Sequence, residues 1–266
     1  NSAILFNLNS AETSDVIQEV TQQASPLLTQ FQNDVRLNQA LFERIKAIYE
    51  DQDQANLTAE QKTLLEKEYK GFARNGALLN DDEKELLREI DTEKAQLSLT
   101  FGENVLADTH AFELHITEEK DLEGLPDQIK EMAAEMAQSK NKTAWVFTLD
   151  YPSYVPFMTY AENRELRKEF CLAFGKRGFQ NNDNKNTDII LRLIELRKKR
   201  AKLLGYESHA AFVLEERMAT SEENVVAFLE DLYQKAYPAA QGEWQEMEHF
   251  AKQNLGLNNL EKWDTA

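Results

Sequence analysis

The sequence predicts a mostly α-helical protein, an antiparallel multi-helix lobe that carries a small two-stranded β patch. Three observations support this fold class. The 266 residues include only nine Gly and five Pro, so residues that end helices are scarce. The helix-favouring residues Ala, Leu, Glu, Lys and Gln are abundant. Apolar residues recur at helical spacing, as at Leu86, Ile90, Leu97 and Phe101, which indicates helices with one face on a core.

Residues 1–110 predict an array of helices joined by short turns rich in Asn and Asp. The expected helices are about 11–33, 38–51, 58–76 and 80–110. Thr58 and Gln61 have the spacing of a capping box, and Gly76 ends that helix. Asn80 is the expected N-cap of the next helix, with acidic residues in its first turn.

Residues 111–180 no longer show the helical pattern of the first region throughout. "AFELHI" (111–116) and "AWVFTLD" (144–150) are rich in β-branched and aromatic residues, so they predict two paired strands, with a short helix at about 126–139 between them. Pro152 and Pro156 predict an extended segment that leads into a helix ending near Gly178.

Residues 181–266 return to helix after the loop "FQNNDNKNTD", whose last two residues, Thr187 and Asp188, are expected to cap the next helix. Helices are expected at about 188–204, 208–218 and 221–255, with Pro238 kinking or dividing the last one. The expected organisation is therefore three regions, 1–110, 111–180 and 181–266, within one continuous lobe.

Charge and composition exclude several classes of function. The formal net charge of −17 repels phosphate backbones, so we expect no nucleic-acid partner. No apolar run is long enough to span a membrane, and the first ten residues lack the features of a signal peptide. One cysteine suits a reducing compartment, which favours the cytoplasm, with export as the alternative if a leader was removed. The start at Asn1 and the end at "LEKWDTA" predict a piece of a longer protein.

We predict no catalytic, cofactor-binding or metal-binding residue in this chain. The four histidines, His110, His115, His209 and His249, form no H-E-x-x-H pair, the spacing that places two imidazoles on one helical face. Cys171 lies in a helical run and is expected to be a buried thiol, and "GKRG" at 175–178 has the wrong spacing for a phosphate loop.

Two further groups of residues have both a functional and a structural interpretation. Tyr151, Tyr154, Phe157 and Tyr160 are suited to lining a peptide groove, but packing of the strand pair onto helices is favoured. The helix that ends in "LRKKRAKLLGY" is expected to place its core face on Ile190, Leu193, Ile194, Ala201 and Leu204, and six cations on this helix predict its solvated side. They are Arg192, Arg197, Lys198, Lys199, Arg200 and Lys202. Gly205 is then expected to end this helix in a left-handed cap, with Tyr206 packing back.

The same stretch carries a resemblance to a known family. "LRKKRAKLLGYESHAAFVLEERMA", "VVAFLEDLYQKAYPAAQGEWQEMEHFA" and "LEKWD" resemble the zinc metallopeptidases of the thimet oligopeptidase family, and within it most closely the bacterial peptidyl-dipeptidases. "TLDYPSYVPFMTYAENRELRKEFCLAFGKRG" and "NDDEKELLREIDTEKAQLSLTFGENVLADTHAFELHI" resemble preceding segments of those enzymes in the same order. The resemblance thus covers nearly the whole chain.

Membership of that family implies a mostly helical, two-lobed hydrolase that cleaves short peptides in a deep channel. It also implies a zinc site made of an H-E-x-x-H helix and a later Glu, none of which this chain contains. We therefore expect an inactive N-terminal lobe that forms one wall of the channel, with zinc and the catalytic half supplied by the rest of the polypeptide. The alternative is a free-standing helical module that binds peptides or a protein without catalysis.

Overall fold

A computed structural model describes residues 2–52 and 56–265 of the chain. The structure is mostly α-helical with one two-stranded antiparallel sheet, so the predicted fold class is confirmed. The helices are α1 (Ser2–Ala11), α2 (Asp15–Arg36), α3 (Gln39–Glu50), α4 (Ala59–Phe72), α5 (Asp81–Ala111), α6 (Asp127–Ser139), α7 (Tyr151–Tyr160), α8 (Arg164–Gly175), α9 (Thr187–Leu203), α10 (His209–Leu214) and α11 (Glu222–Asn254). The strands are β1 (Glu113–Ile116) and β2 (Trp145–Thr148).

Two of the predicted caps, Thr58 and Asn80, begin their helices as expected, whereas Thr187 and Asp188 lie within the first turn of α9 and do not precede it. The Thr58 hydroxyl accepts a hydrogen bond from the Gln61 backbone N–H, and the Gln61 side chain accepts from the Thr58 N–H, which completes a capping box on α4. Asn80 and Glu83 exchange the same two bonds at the start of α5. The sequence does not predict α1, because ten residues are too short a window for a clear helical period.

The proline-rich segment is a helix, so the predicted extended segment at Pro152 and Pro156 is wrong. Helix α7 begins at Tyr151, after Asp150 in an extended backbone conformation. Pro152 lies in the first turn, where a backbone N–H has no helical acceptor, so its missing N–H is harmless. Pro156 removes one internal bond, which the helix tolerates. Pro238 likewise lies inside the continuous helix α11 and does not divide it.

The chain forms two compact units. Unit 1 comprises Asn1–Gly102 and Asp188–Asn224, and unit 2 comprises Glu103–Thr187 and Val225–Ala266. In unit 1, Phe42 and Phe72 are buried, and Phe42 stacks on Phe72 and Tyr69 with ring centroids 6.2 and 5.7 Å apart. The predicted division into three regions stays a prediction.

The core of unit 2 surrounds the sheet. In the antiparallel register Leu114 pairs with Phe147, and both side chains are buried. Phe147 meets Phe157 of α7 edge to face at 4.8 Å, and Phe157 meets Phe170 of α8 in the same way at 4.9 Å. A chain of aromatic contacts thus holds the strand pair against α7 and α8.

The predicted loop at 179–188 is held in unit 2 by one buried carboxylate. Asp108 of α5 is 1% exposed and accepts hydrogen bonds from the Gly178 backbone N–H and from the amides of Asn182 and Asn184, at 2.7 to 2.8 Å. Burial raises the pKa of Asp108, but these three bonds outweigh it and hold the pKa below its usual range. Two of the Asn residues that predict this loop therefore also hold it in place, because they donate hydrogen bonds to the Asp108 carboxylate.

Candidate functional site

The histidines lie apart from any arrangement that would hold a metal. His110 is in the last turn of α5 and His249 is on α11, and both are exposed. The Nε2 atom of His115 lies 2.8 Å from the carbonyl oxygen of Thr143, and His209 is the first residue of α10. Across residues 2–52 and 56–265, no three His, Cys, Asp or Glu side chains are placed to hold a metal ion. The residues described therefore do not fit the zinc that the family resemblance implies.

The other candidates for chemistry have structural roles. Cys171 is a buried free thiol in the core of unit 2. Burial raises the pKa of Tyr154, and the neighbouring Cys171 thiol raises it further, to about 12. The phenol of Tyr154 therefore stays protonated. In "GKRG", the Arg177 guanidinium lies 3.6 Å from the centroid of the Phe174 ring and donates to Thr109. Gly178 donates to Asp108, so this segment is not a phosphate cradle.

The aromatic set divides between core and surface. Phe157 is fully buried, and the ring of Tyr154 stacks on Phe174 with centroids 4.1 Å apart. Tyr151 and Tyr160 are exposed. These four rings therefore do not form one groove, and packing of the strand pair accounts for the inner two.

The basic run on α9 is mostly a solvated face, on which Arg192 and Lys199 pair with carboxylates. Arg192 forms a bidentate pair with Glu93, and Lys199 lies 2.9 Å from Glu195. Arg200 departs from the predicted solvated face, because it is buried and donates to Asp91 at 2.7 Å and to Asn75 at 3.2 Å. Ile194, predicted to face the core, is exposed.

Helical spacing explains the burial of Arg200, and it is the signal that sequence reasoning missed. Arg200 lies four residues after Leu196 and seven after Leu193, and both leucines are buried. It therefore lies on the same stripe as they do. Ile194 lies seven residues before the buried Ala201, so spacing alone does not account for its exposure. A cation on an apolar stripe indicates a buried ion pair with a carboxylate elsewhere.

The corner after α9 has the predicted conformation. Gly205 has a φ of +84°, and the N–H groups of Gly205 and Tyr206 donate to the carbonyls of Lys202 and Ala201 at 3.0 and 2.9 Å. These two bonds form a Schellman motif. Arg74 holds the corner from the other side: it donates to the Tyr206 hydroxyl at 3.2 Å and pairs with Glu215.

Nine large apolar side chains are exposed on helix α11, more than on any other helix within the described residues. Every residue from 226 to 250 is exposed. We define the α11 stripe as the apolar side chains Val226, Leu229, Tyr233, Tyr237, Trp244 and Met247, which are spaced by three, four or seven residues and are 39 to 65% exposed. An exposed apolar stripe of this length is typical of surfaces that pack against another polypeptide.

Comparisons with known proteins give a consistent result. Residues 157–266 match the family model for Peptidase family M3. Over 97% of its length the chain is 31% identical to oligopeptidase A of Haemophilus influenzae. It is 34% identical over 99% of its length to an organellar oligopeptidase A of Arabidopsis thaliana, and 28% identical over its full length to dipeptidyl carboxypeptidase of Escherichia coli. The chain spans 38, 34 and 39% of the length of these three relatives.

These matches confirm the resemblance to the metallopeptidase family and refine it. The two relatives named oligopeptidase A are more similar to the chain, at 31 and 34% identity, than dipeptidyl carboxypeptidase at 28%. The expected greater similarity to the peptidyl-dipeptidases is therefore corrected in favour of oligopeptidase A. Within the described part of the chain, no helix is long and apolar enough to cross a membrane.

Proposed function

Because this chain belongs to peptidase family M3, we propose that it is the non-catalytic N-terminal lobe of a longer zinc-dependent oligopeptidase. One observation carries the proposal: similarity runs along 97 to 100% of the chain but over only 34 to 39% of each relative described above. The zinc ligands and the general base then lie in the remainder of the polypeptide. Short peptides are the substrates of the whole enzyme.

In this proposal the lobe forms one wall of the channel that admits peptides. A wall of packed helices excludes folded proteins by size and orients a short peptide, while other residues perform the hydrolysis. The α11 stripe supports this role, because a surface of this kind is suited to packing against the rest of the enzyme. The proposed location is the cytoplasm, consistent with a single cysteine that is buried and unpaired.

Activity of two chains tests the proposal. The 266-residue chain and the longer product of the same reading frame are assayed with a quenched short peptide, with zinc and with a chelator. We expect zinc-dependent cleavage from the longer chain and none from the 266-residue chain. Circular dichroism, as the control for folding, should show that both chains are helical. Zinc-dependent turnover by the 266-residue chain would show that the proposal is wrong.

The reading frame also distinguishes the alternative, a free-standing binding module. A stop codon soon after residue 266 would favour that module, whose binding surface would be the same α11 stripe. To test the stripe, Leu229→Ser and Met247→Ser are combined in both chains. We expect a lower Tm in the longer chain only, because both side chains are exposed in the 266-residue chain. Gln234→Ser with Gln245→Ser, off the α11 stripe, is the matched control.

A further inference from the structure

Two neighbouring cavities lie within unit 1, between helices α2, α5 and α9. Their volumes are about 450 and 310 Å³. Gln32, Asn33, Asp91 and Arg200 line both of them, so the two cavities share one polar wall. We call the two cavities together the polar cavity.

The charge of the polar cavity is opposite to that of the chain. Its lining carries three cations, Arg36, Lys94 and Arg200, and one carboxylate, Asp91. Three positive charges and one negative charge leave a net charge of +2, in a protein with a net charge of −17. Glu68 contacts Arg36 at 3.5 Å but does not line the cavity. A local reversal of sign favours an anionic ligand.

Arg200 is fixed in place before any ligand arrives. It is 9% exposed, and its Nε and Nη2 atoms donate to Asp91 and Asn75 at 2.7 and 3.2 Å. A guanidinium held in this way loses little freedom when it binds a further group. Asp91 therefore orients Arg200 in addition to offsetting part of its charge.

Asn33 is the second feature that points to a ligand. It is also 9% exposed, it lines both cavities, and its Nδ2 atom has no hydrogen-bond partner among the residues described. A buried amide donor is destabilising unless an acceptor meets it. The group that would complete this site is therefore an oxygen acceptor.

Lys94 is consistent with a site that lacks negative charge. Burial lowers the pKa of Lys94 below its usual range, Asp91 raises it in part, and Arg200 lowers it again. A bound anion would favour the charged ammonium. An anionic ligand with oxygen acceptors would therefore favour the charged form of Lys94 and also accept a hydrogen bond from Asn33.

We propose that the polar cavity binds a small oxyanion, a carboxylate or a phosphate group, through Asn33, Lys94 and Arg200. A third cavity of about 810 Å³ that Asn33 also borders restricts the ligand's size. Its charged side chains are Asp34, Glu85, Glu89, Glu93 and Arg88, a net charge of −3 that repels an extended anion. The ligand is therefore compact and stays on the cationic side of Asn33. This inference does not depend on the proposed peptidase role.

Titration of the 266-residue chain tests the site. Sodium phosphate and sodium succinate are added separately, with sodium chloride at equal ionic strength as the reference, and binding is followed by calorimetry and by Tm. We expect saturable binding and a higher Tm with at least one of the two probes. Binding of phosphate alone would identify a phosphate site, and binding of succinate alone a carboxylate site. Absence of saturable binding by both would overturn the proposal.

Three variants locate the bound anion. Asn33→Leu removes the unpartnered donor without changing charge, so we expect the unliganded Tm to be equal or higher and the affinity to fall about tenfold or more. Lys94→Met should weaken binding similarly, whereas Lys62→Met, an equal charge change at an exposed position of α4, should not. Equal affinities of the Lys94 and Lys62 variants would place the anion elsewhere and refute the proposal, even if the Asn33 variant does not fold.

Discussion

Substitution of Gly205 tests whether the corner after α9 depends on a left-handed backbone. An L-residue in that conformation costs about 1–2 kcal/mol, and a Cβ atom on Gly205 meets no atom within 4 Å. The backbone conformation is therefore the whole cost, without an added clash. We expect Gly205→Ala to lower the free energy of unfolding by about 1 kcal/mol, and Gly205→Val, which is β-branched, by about 2 kcal/mol.

Gly102 provides the matched control. It lies inside α5, its φ is not left-handed, and a Cβ atom there also meets no atom within 4 Å. Gly102→Ala should therefore raise the free energy of unfolding by up to about 1 kcal/mol, since Ala favours a helix over Gly by that amount. The two Gly→Ala changes are thus expected to differ by about 2 kcal/mol and to have opposite signs.

Urea unfolding followed by far-UV circular dichroism measures both variants. Tryptophan fluorescence is the wrong probe, because Trp145, Trp244 and Trp263 all lie in unit 2, whereas Gly205 and Gly102 lie in unit 1. Hydrogen exchange of the Gly205 and Tyr206 amides, which donate the two capping bonds, should accelerate in Gly205→Val. Equal changes in stability for the two Gly→Ala variants would refute the left-handed cap.

Three further predictions concern buried charge. Asp108→Asn should destabilise the chain by about 2 kcal/mol at neutral pH, because the three bonds that lower the pKa of Asp108 lose a charged acceptor; an unchanged urea midpoint would contradict this. Hydrogen bonds from two lysines lower the pKa of Glu113 to about 2 from 4.5, so its stabilisation is complete above about pH 4.5 and is lost as pH falls through about 2. The urea midpoint of Glu113→Gln should therefore vary less with pH over that interval than the wild-type midpoint does. A pH dependence equal to that of the wild type would count against the ion pair. Arg74→Lys should cost about 1–2 kcal/mol in circular dichroism melts, since an ammonium cannot reproduce the planar guanidinium that bonds Tyr206 and Glu215; a wild-type Tm would show that the contacts are dispensable.

Local signals were sufficient for most of the fold. The caps at Thr58 and Asn80 and the left-handed Gly205 are set by residues within a few positions of one another, so short sequence patterns predict them. The strand pair is also predictable, because β-branched and aromatic residues are concentrated in 111–116 and 144–150. The strands are shorter than those runs, because helix α5 extends to Ala111 and helix α7 begins at Tyr151.

Features that depend on distant partners were not predictable in this way. The burial of Arg200 depends on Asp91, 109 residues earlier in the chain, and a single sequence does not reveal that pair. The helical conformation of Pro152 and Pro156 depends on Phe157 packing between Phe147 and Phe170, which outweighs one missing hydrogen bond. For the two prolines, tertiary contacts override a correct local preference. For Arg200, helical spacing indicates the buried face but does not identify the partner.

The charge of helix α11 favours one kind of partner for the α11 stripe in the proposed enzyme. Helix α11 contains seven acidic residues and two lysines, a net charge of −5 over 33 residues. Pairing of two copies along this stripe would bring two such helices together, and like charges at that distance oppose association. A segment that combines apolar side chains with Lys or Arg would bury the stripe and offset the carboxylates beside it. We therefore expect the part of the longer enzyme that packs here to be basic, and added salt should weaken its association with the 266-residue chain.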